Sequence, residues 1–386
     1  MEGWRTIRLG DACNTNVDSY SPKEKWPFVN YLDTGNITDN RIDAVQHIDV
    51  KHEKLPSRAR RKVRRNSIIY STVRPNQRHF GIIKKQPDNF LVSTGFAVID
   101  TDEEVLDADF LYYLLAQSTV VEKLHTIAEQ STSVYPSIKP SDIEDLEICI
   151  PDIEIQKQIA EILSSLDRKV EQNSEINKNL SEQLQVLYSS KFDPYVHTAS
   201  AMLSEICHYS TDKINVDKLS TKTYYSTENM QPNKISAIEA SSLPSIKQTT
   251  RCHKGDVLVS NIRPYFKKIE YVTEDCGCST DVLCFVPESK EMSAYLYETL
   301  YSDRFFDYMV AGSKGTKMPR GDKQQIMQYR IVIPSPKQLT LFNSAATPML
   351  ALIANTVLES ERLSVLRDSL LPKLMSGEID VSDIDL

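Results

Sequence analysis

Ser67-Ile68-Ile69-Tyr70-Ser71-Thr72-Val73-Arg74-Pro75 reads as a short apolar strand ending on an arginine held against a proline. Asp256-Val257-Leu258-Val259-Ser260-Asn261-Ile262-Arg263-Pro264 repeats the pattern 189 residues later. Farther along, Leu146-Glu147-Ile148-Cys149-Ile150 stops at Pro151 and Tyr329-Arg330-Ile331-Val332-Ile333 stops at Pro334, now 183 residues apart. A long helical pattern follows each of those prolines. The same signals in the same order, at nearly half-chain spacing, predict two similar halves suited to gripping something bipartite.

At 386 residues the chain can hold two ordinary domains, each with its own core. Apolar residues at 40% and charged residues at 25% describe a folded chain rather than a disordered one. No stretch is read as apolar enough to span a bilayer, and Met1-Glu2-Gly3-Trp4-Arg5 lacks the form of a secretory signal, so a cytoplasmic location without a membrane partner is expected. Seven scattered cysteines, an odd number, point to reduced thiols.

A net charge of −8 argues against a nucleic-acid partner until its layout is seen. Between Lys51 and Lys85 twelve basic residues face one acidic residue, among them Arg58, Arg60, Arg61, Lys62, Arg64, Arg65, Arg74, Arg78, Lys84 and Lys85. The acids gather elsewhere, notably in the tail from Glu378 to Asp385. Such asymmetry allows a local polyanion site on an acidic protein, although a solvated charged face is the plainer reading of any basic run.

Leu163, Leu166, Val170, Asn173, Asn177, Leu180, Leu184 and Leu187 keep a 3,4 spacing without a slip. Shifted by 183, the series becomes Ala346, Met349, Ile353, Thr356, Ser360, Leu363, Arg367 and Leu370. This is the seam spacing of a coiled coil. Both seams carry polar residues in the same two central slots. Parallel packing would also align these centres, but a pseudo-two-fold chain favours antiparallel helices, which sets Asn173 beside Ser360 and Asn177 beside Thr356 as register pins. The competing reading packs each helix on its own domain. Pro348 predicts a break near 346–348.

The rest reads as α+β: residues 1–150 and 199–334 as two globular parts, and 151–198 and 335–386 as the long helices with a linker and a tail. In the first part the strands are expected at 28–32, 67–71, 81–83 and 96–99, with one helix over 107–128. In the second they are expected at 257–260, 269–273 and 282–286, with one helix over 293–309, and Cys276-Gly277-Cys278 is placed in a turn. That Cys pair lacks a second pair at ligand spacing, so no metal site is predicted. Each part also has a polar loop before its last strand. One carries Ser131, Thr132, Ser133 and Tyr135; the other carries Lys314, Lys317 and Arg320. Their hydroxyl and cationic groups can donate to phosphate oxygens and base edges, or they can be ordinary surface connections. There is no G-x-G-x-x-G after a strand, no Asn-Pro-Pro-aromatic or Asp-Pro-Pro-aromatic run and no H-E-x-x-H. Asp281 with Glu288-Ser289-Lys290 only imitates a nuclease set.

The stretch Pro136-Ser137-Ile138-Lys139-Pro140-Ser141-Asp142-Ile143-Glu144-Asp145-Leu146-Glu147-Ile148-Cys149-Ile150-Pro151, followed by Glu154-Ile155-Gln156-Lys157-Gln158-Ile159-Ala160-Glu161-Ile162-Leu163, resembles the specificity (S) subunit of type I restriction–modification systems. The opening Trp4 to Asp11 and the ending Leu370 to Ile379 are similar to that family's flanking pieces, so the resemblance covers nearly the whole chain. The second copy departs from it, with Gln338-Leu339-Thr340-Leu341-Phe342 where the first has Gln156-Lys157-Gln158-Ile159-Ala160.

The resemblance implies two target recognition domains separated by an antiparallel helical pair, each reading half of a split double-stranded DNA target. It implies no catalytic site and no cofactor on this chain. S-adenosylmethionine, ATP and Mg are expected on partners: methyltransferase subunits, two of them, and restriction subunits. Arg74 and Arg263 are the first candidates for base readout, since a guanidinium pairs bidentately with guanine; a phosphate clamp is the alternative for each. Arg58 to Arg65, Lys84, Lys85, Lys254, Lys267, Lys268, Lys314, Lys317 and Arg320 are expected on backbone phosphates. A stand-alone DNA-binding regulator or scaffold without enzyme partners is the alternative function.

Overall fold

A computed structural model describes residues 3–131, 135–194, 197 and 201–381. The chain divides into two compact units, Met1–Val170 with Arg362–Leu386, and Glu171–Glu361.

In the first unit Cys13–Thr15, Phe96–Thr101, Ile68–Ser71 and Phe80–Ile82 form an antiparallel sheet in that order. The strand Ile68–Ser71 is buried on both faces, as its continuous apolar run requires. A second sheet orders Gln46–Asp49, Phe28–Leu32, Phe90–Ser93 and Ala59–Arg61, with one parallel pair, 28–32 beside 90–93. The second unit repeats the first sheet as Cys207–Tyr209, Val282–Pro287, Val257–Ser260 and Ile269–Tyr271. Its other sheet keeps the three-strand core but adds the edge strand Lys213–Asn215 beside Gln248–Cys252. The first unit has only the isolated bridge Ser19↔Arg61 at the matching place.

Each single helix expected from the pattern is two helices. Ala108–Ala116 and Ser118–Glu129 are parted by Gln117 in an extended conformation (φ −60°, ψ 136°). Ser293–Tyr301 and Asp303–Ala311 are parted by Ser302 (φ −61°, ψ 141°), whose hydroxyl caps the second helix through the Phe305 N–H at 3.2 Å. The break re-aims the second piece so that Val121, Leu124 and Ala128 reach the same core as Phe110 and Leu111. Cys276–Cys278 is a strand, not a turn, packed with Cys252 and Cys284. A Cβ on Gly277 would lie 2.5 Å from the Leu219 side chain and 2.9 Å from that of Thr249, so a larger residue there would have to displace both. All seven cysteines are free.

Ile153–Phe192 and Pro336–Met375 are helices of 40 residues each. Each unit holds a portion of both, packed together. In the first unit Ile159, Ala160 and Leu163 share a core with Leu374 and Met375, and Arg367 Nη1 lies 2.6 Å from Asp167 Oδ1. In the second, Leu184, Tyr188 and Phe192 share a core with Leu350, Ala346 and Phe342. As one index rises the other falls, so the pairing is antiparallel.

The polar slots meet as expected. Asn173, fully buried, donates from Nδ2 to Glu359 Oε2 at 2.8 Å and Ser360 Oγ at 3.2 Å, and Thr356 donates to Asn177 Oδ1. The Nδ2 of Asn173 is thereby satisfied, while its buried Oδ1 has no hydrogen-bond partner.

The expected break at Pro348 does not occur. Pro348 and Ser344 both face solvent, where the carbonyl freed by the missing N–H can be hydrated. Pro336–Met375 also contains an 18-residue window apolar enough, by length and composition, to cross a membrane, which corrects the reading that no such stretch exists. The tail is not merely acidic: Val381 is buried and Ile379 packs on the same core as Leu374, while 382–386 lie outside the described residues.

Gln156 shows why the two helix starts differ. It is fully buried, accepts from Asp107 N at 3.0 Å and donates to Val105 O at 3.0 Å and Pro151 O at 2.9 Å. Leu339 occupies the equivalent position as a plain hydrocarbon, while Gln338 caps its helix through Ser335.

Candidate nucleic-acid interface

Both Arg-Pro loops have one geometry. Arg74 (φ 48°, ψ 68°) precedes the 3-10 turn Pro75–Gln77, and Arg78 (φ 56°, ψ 33°) follows it. Arg263 (φ 50°, ψ 61°) precedes Pro264–Phe266, and Lys267 (φ 52°, ψ 50°) follows. Four cationic side chains therefore stand on left-handed backbone that favours glycine. Each costs about 1–2 kcal/mol, and each loop carries two of them.

The strand-end serines hold the loops. Ser71 Oγ donates to Val73 O at 3.0 Å, and Ser260 Oγ donates to Ile262 O at 3.2 Å.

The polar loops lie against the Arg-Pro loops in both units. Arg74 N donates to Pro136 O at 2.9 Å, and Val73 bridges Ser137. Arg263 N donates to Pro319 O at 2.8 Å, Ile262 bridges Arg320, and Arg320 bridges Lys314. So two segments some sixty residues apart in sequence present one surface.

On it Arg74 is exposed, its guanidinium carbon 5.2 Å from the centre of the Tyr135 ring. Arg263 is half-buried, with Nη2 3.5 Å from Lys317 O and a buried Nε that lacks a hydrogen-bond partner. Ser131 accepts from Ser137 N at 3.3 Å; Thr132 and Ser133 lie outside the described residues.

The other predicted cations fall into two groups. Several are engaged with the protein's own acids: Lys62 with Glu24 (2.9 Å), Arg64 with Asp100 (3.1 Å), Arg78 with Asp39 (2.5 Å) and Lys84 with Asp109 (2.6 Å). Lys267 meets Asp303 (2.7 Å), Lys314 meets Asp322 (2.6 Å) and Arg320 meets Asp281 (3.2 Å). Lys268 donates to Thr227 O at 2.6 Å, and burial lowers its pKa. Arg61 donates to Ser19 Oγ at 3.4 Å. Arg58, Arg60, Arg65, Lys85, Lys254 and Lys317 are exposed and carry no ion pair among the described residues, so they can face a phosphate without first breaking one.

The nuclease-like set is dispersed, with Asp281 on Arg320 and Glu288 2.9 Å from His208 Nδ1. No group of three or more His, Cys, Asp or Glu is arranged to hold a metal ion among the described residues. Sequence reading passed over Tyr265 and Phe266, exposed beside Arg263; two aromatics between an Arg-Pro pair and two lysines were the available signal.

Residues 1–182 match the family described as type I restriction modification DNA specificity domain. Over 463 residues the chain is 22% identical to the type I restriction enzyme HindI specificity subunit of Haemophilus influenzae, covering 98% of this chain and 100% of that one. It is also 22% identical over 409 residues to the MjaIX specificity subunit of Methanocaldococcus jannaschii, covering 97% and 93%. In fold it is similar to the crystal structure of the type I restriction–modification S subunit from M. genitalium, with TM-score 0.58, 18% identity and 96% of each chain covered. The first copy thus matches the type I specificity domain, and almost the whole length of the chain is similar to named type I specificity subunits.

Proposed function

We propose that this chain is a non-catalytic specificity subunit of a type I restriction–modification complex and binds a bipartite double-stranded DNA target, with 1–150 reading one half and 199–334 the other. It recruits two methyltransferase subunits, and restriction subunits, in the cytoplasm. S-adenosylmethionine, ATP and Mg would be bound by those partners. The observation that carries this reading is the pair of Arg-Pro corners, each on left-handed backbone and each clamped to a loop rich in donors.

Arg74 and Arg263 would read base edges, with Ser131, Thr132, Ser133 and Tyr135 beside the first and Lys314, Lys317 and Arg320 beside the second. The free cations Arg58, Arg60, Arg65, Lys85 and Lys254 would contact phosphate. Leu341, Leu352, Leu358, Val365 and Leu366, exposed on the second long helix, support partner docking along 335–386.

Methylome sequencing of the source cell with the chain present or deleted tests the function. Loss of one bipartite methylation motif is expected, and an unchanged methylome overturns the reading. Binding to single-base variants tests the residues. Arg74→Ala should lose about 1–3 kcal/mol of discrimination at one base pair. Arg65→Ala should weaken all sequences alike and lower the salt slope by about one. Uniform weakening by both would reject the division of roles.

A further inference from the structure

The two Arg-Pro loops share a backbone but not a tip. Positions two and three of the turn are the exposed amides Asn76 and Gln77 in the first unit, and the exposed rings of Tyr265 and Phe266 in the second. Tyr265 is 48% and Phe266 37% accessible, with ring centroids 4.8 Å apart and planes at 55°. Two adjoining rings facing water lose the benefit of burying them.

The backbone that carries the rings is nonetheless pinned. Phe266 N donates to Arg263 O at 2.9 Å and Lys267 N to Pro264 O at 2.9 Å. Asn233 N donates to Phe266 O at 2.8 Å, and Lys268 Nζ stands 5.9 Å from the Phe266 ring centre. A rigid apolar edge beside Arg263 and the cationic loop of Lys314, Lys317 and Arg320 suits a polyanion with apolar groups on its reading face. The major groove of DNA offers that through the 5-methyl group of thymine.

We propose that Tyr265 and Phe266 are specificity-determining residues that read thymine methyl groups in the half-target of the second unit; this rests on the DNA-reading function above. The rings sit where the first unit offers amides, whose donors and acceptors match adenine instead. The two halves would then read different base chemistry from one structural position.

The test uses the full chain in complex with its methyltransferase subunits, on the target found by methylome sequencing. Replacing each thymine of the target by uracil, one at a time, removes only the methyl group and leaves the protein untouched. For the wild-type chain, affinity should fall roughly three- to tenfold at one or two positions of a single half-target. Tyr265→Ala with Phe266→Ala should show the same loss on the thymine target and no further loss with uracil there. Affinity for unrelated DNA and the salt slope should stay as in the wild type.

No uracil effect at any thymine of either half overturns the proposal. So does a loss in the variant that is equal on all sequences, or a variant that still prefers thymine. A wild-type complex without any sequence preference would instead sink the DNA-reading function itself.

Discussion

Glu298 lies in the helix Ser293–Tyr301 with 1% of its surface exposed, against the first long helix. Gln185 Nε2 donates to its Oε2 at 2.5 Å and to its carbonyl at 3.0 Å. Burial pushes the carboxyl up to about 8, although the Gln185 bond and the Lys234 charge pull the other way. In the unfolded chain it titrates at the ordinary value of 4.5.

Between those values the folded state holds a proton that the unfolded state releases, so stability falls as pH rises through the window and the full loss is reached above the folded pKa. About three and a half pH units at about 1.4 kcal/mol each give a penalty on the order of 5 kcal/mol at pH 9. Glu298→Gln keeps the size and an acceptor for Gln185 but removes the titration. It should be within about 1 kcal/mol of the wild type at pH 5 and more stable by several kcal/mol at pH 9.

Urea unfolding followed by far-UV circular dichroism from pH 5 to 9 measures this. Both tryptophans, Trp4 and Trp26, belong to the first unit, so fluorescence follows that unit while circular dichroism follows the whole chain. Parallel pH profiles for wild type and variant would falsify the burial argument.

Arg74→Gly should be more stable than Arg74→Ala by about 1 kcal/mol, since both lose the guanidinium but only glycine relieves the left-handed corner; equal urea midpoints by tryptophan fluorescence contradict that. Asp167 receives Arg367 Nη1 at 2.6 Å and the Tyr113 hydroxyl at 2.6 Å. Asp167→Ala should cost about 2–3 kcal/mol in the same assay, and adding Arg367→Met should recover most of it; a double variant no better than the single refutes the pairing. Asn173→Asp would set a second carboxylate against Glu359, 2.8 Å from the present amide nitrogen. Its melting temperature should fall well below the wild type at pH 7, and the gap should narrow near pH 4.5, where a carboxyl protonates; a gap independent of pH is the contrary result.

The seam was legible because its spacing is local and repeated: from Leu163 to Leu187 every third or fourth residue lies on one face, and Asn173 finds Ser360 as the spacing required. The Arg-Pro strands were legible for the same reason. The helix breaks at Gln117 and Ser302 were not, because neither residue is a strong breaker and each break serves a core contributed by distant elements. Pro348 misled in the other direction, since solvent at the helix surface accommodates a carbonyl that a buried proline would strand.

Periodicity and repetition by themselves determined the internal duplication and the two long helices with their shared seam, because these follow from residue spacing along a regular backbone; the antiparallel direction was fixed by the tertiary contacts. Which cations are free and which are neutralised was decided only by tertiary structure. Lys267 reads as a phosphate ligand until the fold brings Asp303 to 2.7 Å, whereas Lys317 keeps its charge in solvent. The left-handed corners at Arg74 and Arg263, and the seating of each against a loop some sixty residues away, are likewise tertiary facts. Side-chain charge is written in the sequence, but the field at a surface depends on distances that only the packed chain sets.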